Sequence, residues 1–332
     1  VRVEFSRFRY GGTAYNKNDC CGGSGPFFFN YNTVEGAHAV YSYYQYNQNY
    51  SEIRSNTITN GGLYFYGSYY LDSLVIDGNN FTYTSSPSYD QAIHIHSYHL
   101  LSELPYYKIR NNTITGNGSY PRYGMYLEGS GTSSNYNSHI IITGNTIKRT
   151  SSNGVYIYSS PKTVTIKDNT INATHQSSWS SFGDRGGGIH LDSQNIVADV
   201  DISGNVIDST GRSGMYLNQT NGTIESNQII NGGNTGIYLD GSFSYPSLDT
   251  LQRNKITGNN KYGIYNSSYS RPFTNNNDIY SNGTSSGTYD FDNNTDASVY
   301  SELNAKYNYW GTTATSEMDA GNNPKNITRI YD

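Results

Sequence analysis

A six-residue pattern with the form Ile-x-x-Asn-x-Ile returns along this chain and never at less than 22 residues from its last copy. It reads Ile53 to Ile58, Ile109 to Ile114, Ile142 to Ile147, Ile166 to Ile171, Ile202 to Ile207 and Ile224 to Ile229. Looser copies centre on Asn32, Asn79, Asn254, Asn277 and Asn308. From Asn56 to Asn308 the spacings are 23, 33, 33, 24, 36, 22, 27, 23 and 31. A minimum unit that only grows is the mark of a repeat architecture with insertions at its turns.

A second beat follows each Asn, as in Gly62-Leu63-Tyr64-Phe65, Gly124-Met125-Tyr126-Leu127, Gly154-Val155-Tyr156-Ile157, Gly188-Ile189-His190-Leu191, Gly214-Met215-Tyr216-Leu217, Gly236-Ile237-Tyr238-Leu239 and Gly263-Ile264-Tyr265. Ala92-Ile93-His94-Ile95 is the same beat with Ala for Gly. Both beats alternate apolar with polar or aromatic residues, which is strand periodicity, and no helical apolar period is sustained. So short a unit holds two or three strands but no helical crossover. Coiling the units over one another pairs each strand in parallel with its copy one turn on, about 4.8 Å away. The predicted fold is all-β, a single-stranded right-handed parallel β-helix of about 10–11 coils. Its ladder residues are Asn56, Asn79, Asn112, Asn145, Asn169, Asn205, Asn227, Asn254, Asn277 and Asn308, each expected to take the left-handed corner and to bond the Asn above and below. Gly is expected to serve the other corner.

These beats, closed by Asn304-Ala305-Lys306-Tyr307-Asn308-Tyr309-Trp310-Gly311 and Ile330-Tyr331-Asp332, resemble the right-handed parallel β-helix repeat proteins of the NosD-like type. The resemblance runs over roughly residues 29 to 332 and implies a secreted or surface protein. It implies no chemistry, because the repeat is scaffold.

On this reading residues 1–28 form an N-terminal cap or docking strand, 29–311 the solenoid, and 312–332 a tail or incomplete cap. The net charge of −5 and the lack of a basic stripe argue against a nucleic-acid partner. No apolar run reaches the length of a membrane span. With 14% charged residues and 35 Tyr, the composition is of the export type. A chain beginning at Val1, with no signal-like segment, reads as a processed mature protein or an excerpt. Cys20 and Cys21 are adjacent, so a bond between them would be strained and a cross-chain bridge is the alternative to two thiols.

The third residue of each second beat is expected to face outward, giving an external stripe of Tyr64, His94, Tyr126, Tyr156, His190, Tyr216, Tyr238 and Tyr265. Aromatic faces of this kind suit sugar rings or a protein interface, and otherwise simply stabilise the sheet. The neighbouring column holds Tyr66, His96, Glu128, Tyr158, Asp192, Asn218 and Asp240. Glu128, Asp192 and Asp240, two coils apart, are the weak candidates for glycan-cleaving carboxylates. His94, His96 and Glu128 on one face are a candidate transition-metal triad, weighed against ordinary exposed histidines. Insertions at Ser97–Pro105, Gly129–Ser138 and after Asn169 are expected to wall the N-terminal half. No cofactor is implied.

Asn-x-Ser/Thr glycosylation sequons stand at Asn49, Asn80, Asn111, Asn117, Asn172, Asn218, Asn221, Asn266, Asn282, Asn293 and Asn326, all expected on outward or corner positions. The preferred functional reading is an extracellular structural protein, a surface stalk or a subunit of a head-to-tail filament that associates with itself. A carbohydrate-binding adhesin or tailspike-like module comes second. A polysaccharide lyase or glycoside hydrolase comes third.

Overall fold

The structure, a computed structural model, describes residues 1–9, 13–17, 26–36, 38–43, 50–68, 73–86, 90–97, 106–129, 138–159, 161–174, 187–193, 196–267, 269–294, 303–321 and 330–331. It is the predicted parallel β-helix. Among the described residues three parallel sheets of 11, 11 and 12 strands run the length of the rod, and strands three apart in sequence are neighbours in space, with only the last strand of the third sheet pairing with the one just before it. Register is kept from coil to coil: Ile76 pairs with Ile53 and Ile109, and Phe81 with Ile58 and Ile114.

The alternating pattern explains the core. Ile58, Phe81, Ile114, Ile147, Ile171, Ile207, Ile229, Ile256 and Ile279 form one inward column, each essentially inaccessible. Like side chains stacked at the strand spacing fill the narrow bore without gaps, so burial is complete although only 34% of the chain is hydrophobic.

The Asn ladder runs without a break from Asn32 to Asn308 through Asn56, Asn79, Asn112, Asn145, Asn169, Asn205, Asn227, Asn254 and Asn277. Asn112 shows the unit. Its Nδ2 donates to Asn145 Oδ1 at 3.0 Å and to the Ile76 carbonyl at 3.0 Å, while its backbone N–H donates to the same Asn145 oxygen at 2.9 Å. One detail differs from expectation. The left-handed residue is the one before each ladder Asn, as at Ser55, Asn111, Asp168, Ser226, Arg253 and Asn276, with Gly at 78, 144 and 204. The Asn itself is spared that strain and spends its amide on the corner's carbonyls.

The Gly of the second beat also has another reason than a corner. A Cβ at Gly214 would lie 2.3 Å from Ile229 Cγ2 and 2.8 Å from the Gly236 carbonyl, so close approach of the coils, not a positive φ, requires glycine there.

Both ends differ from the sequence reading. β1 (Arg2–Glu4), β2 (Arg7–Arg9) and β3 (Thr13–Lys17) pair in parallel with β4 (Phe27–Asn30), β5 (Thr33–Glu35) and β6 (His38–Tyr43). The segment read as a cap or docking strand is therefore a full coil, and the solenoid begins at Arg2 rather than at residue 29. At the other end, α1 (Gly311–Asp319) follows Trp310, which packs edge-on against Phe291 at 5.7 Å, and Gly311 and Ala314 are buried. Ile330–Tyr331 adds a further strand beside Phe291–Asn293. The tail of 312–332 thus supplies a helix and a finishing strand that the sequence reading did not assign; a short Thr-rich helix carries too weak an apolar period to stand out. Cys20, Cys21 and the expected loop walls at 98–105, 130–137 and 175–186 lie outside the described residues.

Asp249 is a buried titratable group of the fold. It is inaccessible, accepts one hydrogen bond from Thr220 Oγ1 at 2.7 Å, and burial pushes its carboxyl up to about 7 despite that bond. The folded state therefore holds a proton that the unfolded chain has released. Between pH 4 and 7 this group makes the fold less stable as pH rises. Asp249→Asn removes that slope, and the variant should gain on the wild type by on the order of 4 kcal/mol between pH 4 and pH 8, read by denaturant unfolding at both pH values.

Removing a ladder rung should cost far more than removing a surface amide. Asn145→Ala takes the acceptor from the Asn112 backbone N–H and from one Asn112 amide hydrogen, and removes the amide donor to the Ile109 carbonyl. At about 1–3 kcal/mol per buried unpaired group, a loss of about 3 kcal/mol or more is expected, against under about 0.5 for Asn80→Ala, in the same unfolding experiment.

Candidate functional site

The third sheet carries all the outward-facing groups of interest. Within Gln91–Ser97, Ile93 and Ile95 turn into the core, so His94 and His96 project from the opposite face. The next coil places Tyr126 beside His94 and Glu128 beside His96. The sequence reading set Glu128 over His96 alone, but the carboxylate also reaches His94 diagonally. His94 Nε2 and His96 Nδ1 both lie 3.0 Å from Glu128 Oε1. Tyr126, two residues back on the same strand and therefore on the same face, donates its hydroxyl to Glu128 Oε2 at 2.8 Å. That positioning role was readable in the Tyr-x-Glu spacing and was not assigned from sequence.

Neither histidine is exposed; His94 is 6% and His96 8% accessible, which corrects the reading of surface histidines on a Tyr-rich face. Their rings lie nearly parallel, 9° apart, and each meets a tyrosine edge-on: His94 with Tyr64 and Tyr126, His96 with Tyr66. Burial lowers the His94 pKa, a shift the Glu128 hydrogen bond opposes without cancelling. Burial alone would raise the Glu128 carboxyl, but hydrogen bonds from His94 and His96 outweigh it and hold the group well below the usual carboxylate range. The result at neutral pH is an ionised carboxylate facing two preoriented rings, with Glu128 still 22% exposed as the site's opening to solvent.

The aromatic stripe is in register as expected: His94, Tyr126, Tyr156, His190, Tyr216, Tyr238 and Tyr265 follow one another coil by coil, with Tyr64 ahead of His94. Its exposure is not as expected. Tyr156, His190 and Tyr216 are buried with His94, and Tyr64, Tyr126, Tyr238 and Tyr265 are half-buried. Stacking is the reason. Ring centroids along the column are 4.6 to 5.3 Å apart, most of them tilted or edge-on, as between Tyr156 and His190 and between Tyr216 and Tyr238, so the rings cover much of one another's surface. A sugar-binding platform needs a free face, and in this column each ring is packed against its neighbours.

The remaining carboxylate candidates are tied into the scaffold. Asp192 accepts from Asn218 Nδ2 at 2.6 Å, and Asp240 accepts from Tyr216 at 2.8 Å, Ser267 at 2.7 Å and its neighbour's N–H. Tyr158 stands between Glu128 and Asp192 in the column, and Asn218 between Asp192 and Asp240, so each pair is two coils apart, on the order of 10 Å.

Among the sequons, Asn80, Asn111 and Asn221 are exposed, and Asn117, Asn172, Asn218 and Asn293 are partly so. Asn266 and Asn282 are fully buried, which overturns their placement on outward positions. Asn282 belongs to a second, shorter amide ladder missed in the sequence: Asn259 Nδ2 donates to Asn282 Oδ1 at 2.8 Å, and Asn282 Nδ2 to Asp290 Oδ1 at 2.9 Å. The 23-residue return of Asn259 at Asn282 was the available signal. Asn49 and Asn326 lie outside the described residues.

No curated protein and no solved structure matches this chain. The family model for the right handed beta helix region matches residues 18–196 and 187–311, and it agrees with the three-sheet geometry throughout. The chain belongs to the right-handed β-helix family.

Proposed function

We propose that the chain is an extracellular structural rod of the stalk type, a rigid body that holds what lies at its two ends a fixed distance apart. The observation that carries this reading is the continuous amide ladder from Asn32 to Asn308. It binds every coil to the next through buried side chains, in addition to the backbone pairing of three sheets. At the sheet spacing the stacked coils measure about 50 Å. A solenoid tied in this way has no hinge among the coils the ladder joins.

Composition supports a place outside the cell: the surface is rich in Tyr, Asn, Ser and Thr, and only 14% of residues are charged. The exposed sequons at Asn80, Asn111 and Asn221 are where N-linked glycans would sit. Among the described residues no helix is long and apolar enough to cross a membrane. A free-standing rod fits better than a head-to-tail filament, because α1 and the bridges of Asn304 and Tyr309 to the last strands occupy the C-terminal face that a second copy would need. The carbohydrate-binding and carbohydrate-cleaving alternatives lose support for the reasons already given: rings packed against one another and carboxylates engaged by neighbours.

Negative-stain microscopy of native material should show discrete rods about 50 Å long in the solenoid direction, and intact mass should exceed that of the bare chain. Long fibres would overturn the stalk reading. Release of reducing or unsaturated ends from a polysaccharide panel, abolished by Asp192→Asn, would replace it with an enzyme.

A further inference from the structure

The stalk reading makes no use of the His94, His96 and Glu128 cluster. Its donor atoms, one from each side chain, all lie within 4.8 Å of one another, and two of the three separations are already 3.0 Å. A near-tetrahedral ion with bonds of about 2.0–2.1 Å needs roughly 3.3 Å between donors, so both contacts to Glu128 would open by a few tenths of an ångström and the rings would turn to bring their two nitrogens to that spacing.

The geometry points to a binding site for a divalent first-row transition-metal ion, held by His94 Nε2, His96 Nδ1 and Glu128 Oε1. Three features set this cluster apart from a chance meeting of polar side chains. Two imidazoles and a carboxylate are the donor set that zinc and its neighbours favour, and hard cations such as magnesium do not. The ligands stand on adjacent strands of a rigid sheet, with the ring planes fixed by the edges of Tyr64, Tyr66 and Tyr126. The Tyr126 hydroxyl holds Glu128 Oε2 and so turns Oε1 toward the rings, which is the outer-shell support that metal-binding carboxylates use.

The ion would clip two neighbouring coils together across the insertion that separates them in sequence. With three protein ligands and an opening at Glu128, a fourth position faces solvent.

Isothermal titration of zinc(II) into the metal-stripped full chain at pH 7.5 tests this. One ion per chain should bind, with a rise in melting temperature. His96→Ala and Glu128→Gln should each weaken binding by about 100-fold or more, Tyr126→Phe by roughly 10-fold, and His139→Ala, outside the cluster, not at all. X-ray absorption of the loaded protein should report two imidazole nitrogens and carboxylate oxygen. Glu128→Gln keeps the size and polarity of the side chain, so it decides the matter if His96→Ala does not fold. No saturable binding to the wild type, or binding that survives Glu128→Gln unchanged, would overturn the proposal.

Discussion

The hydrogen bond between stacked asparagine amides is the interaction on which the rest of this molecule depends. A tight corner in each coil leaves carbonyl groups pointing into a region that water cannot reach, and they need donors. The ladder Asn supplies one to the corner carbonyls and one to the next rung, and its oxygen receives two from the rung before. Because each amide both gives and takes, a single missing rung would leave unpaired groups on two coils. That is why the pattern recurs unbroken while almost everything between its copies varies.

From the ladder follows the constancy of the rest. With one corner of every coil held in register, the residues three before and two after the Asn fall into aliphatic columns, and the outward residues of the third sheet fall into aromatic ones. The same stacking that makes those aromatic rings a stabilising column removes them from use as a flat platform. It also presses the His94 and His96 rings against tyrosine edges and puts a carboxylate within reach of both. A regular scaffold in this way produces one irregular, polar spot at which chemistry differs from that of the neighbouring coils.

The ends obey a different constraint. A stack of parallel strands exposes unpaired backbone groups at its last coil, and an exposed edge invites pairing with another chain. At the C-terminal face Trp310 packs on Phe291 and α1 follows it with Gly311 and Ala314 buried, while Ile330–Tyr331 extends the third sheet by one strand. Membership of the right-handed β-helix family accounts for the coils and is silent on these features, which belong to this chain.

The sequence by itself determined the fold class, the ladder and the inward columns, because a period shared by ten coils is local chemistry repeated until it cannot be mistaken. It also placed His94, His96 and Glu128 on one face, since strand alternation and coil register are both readable from spacing. Only the tertiary structure decided burial: that four of the eight residues of the aromatic stripe are buried, that Asn266 and Asn282 are interior, and that Asp249 is closed to solvent. Each of these depends on what the neighbouring coils bring alongside, and a single strand's pattern distinguishes inward from outward but not open from covered. The first coil from Arg2 and the C-terminal helix escaped for the complementary reason. They depart from the repeat, and their place is set by the edge they cover rather than by any period of their own.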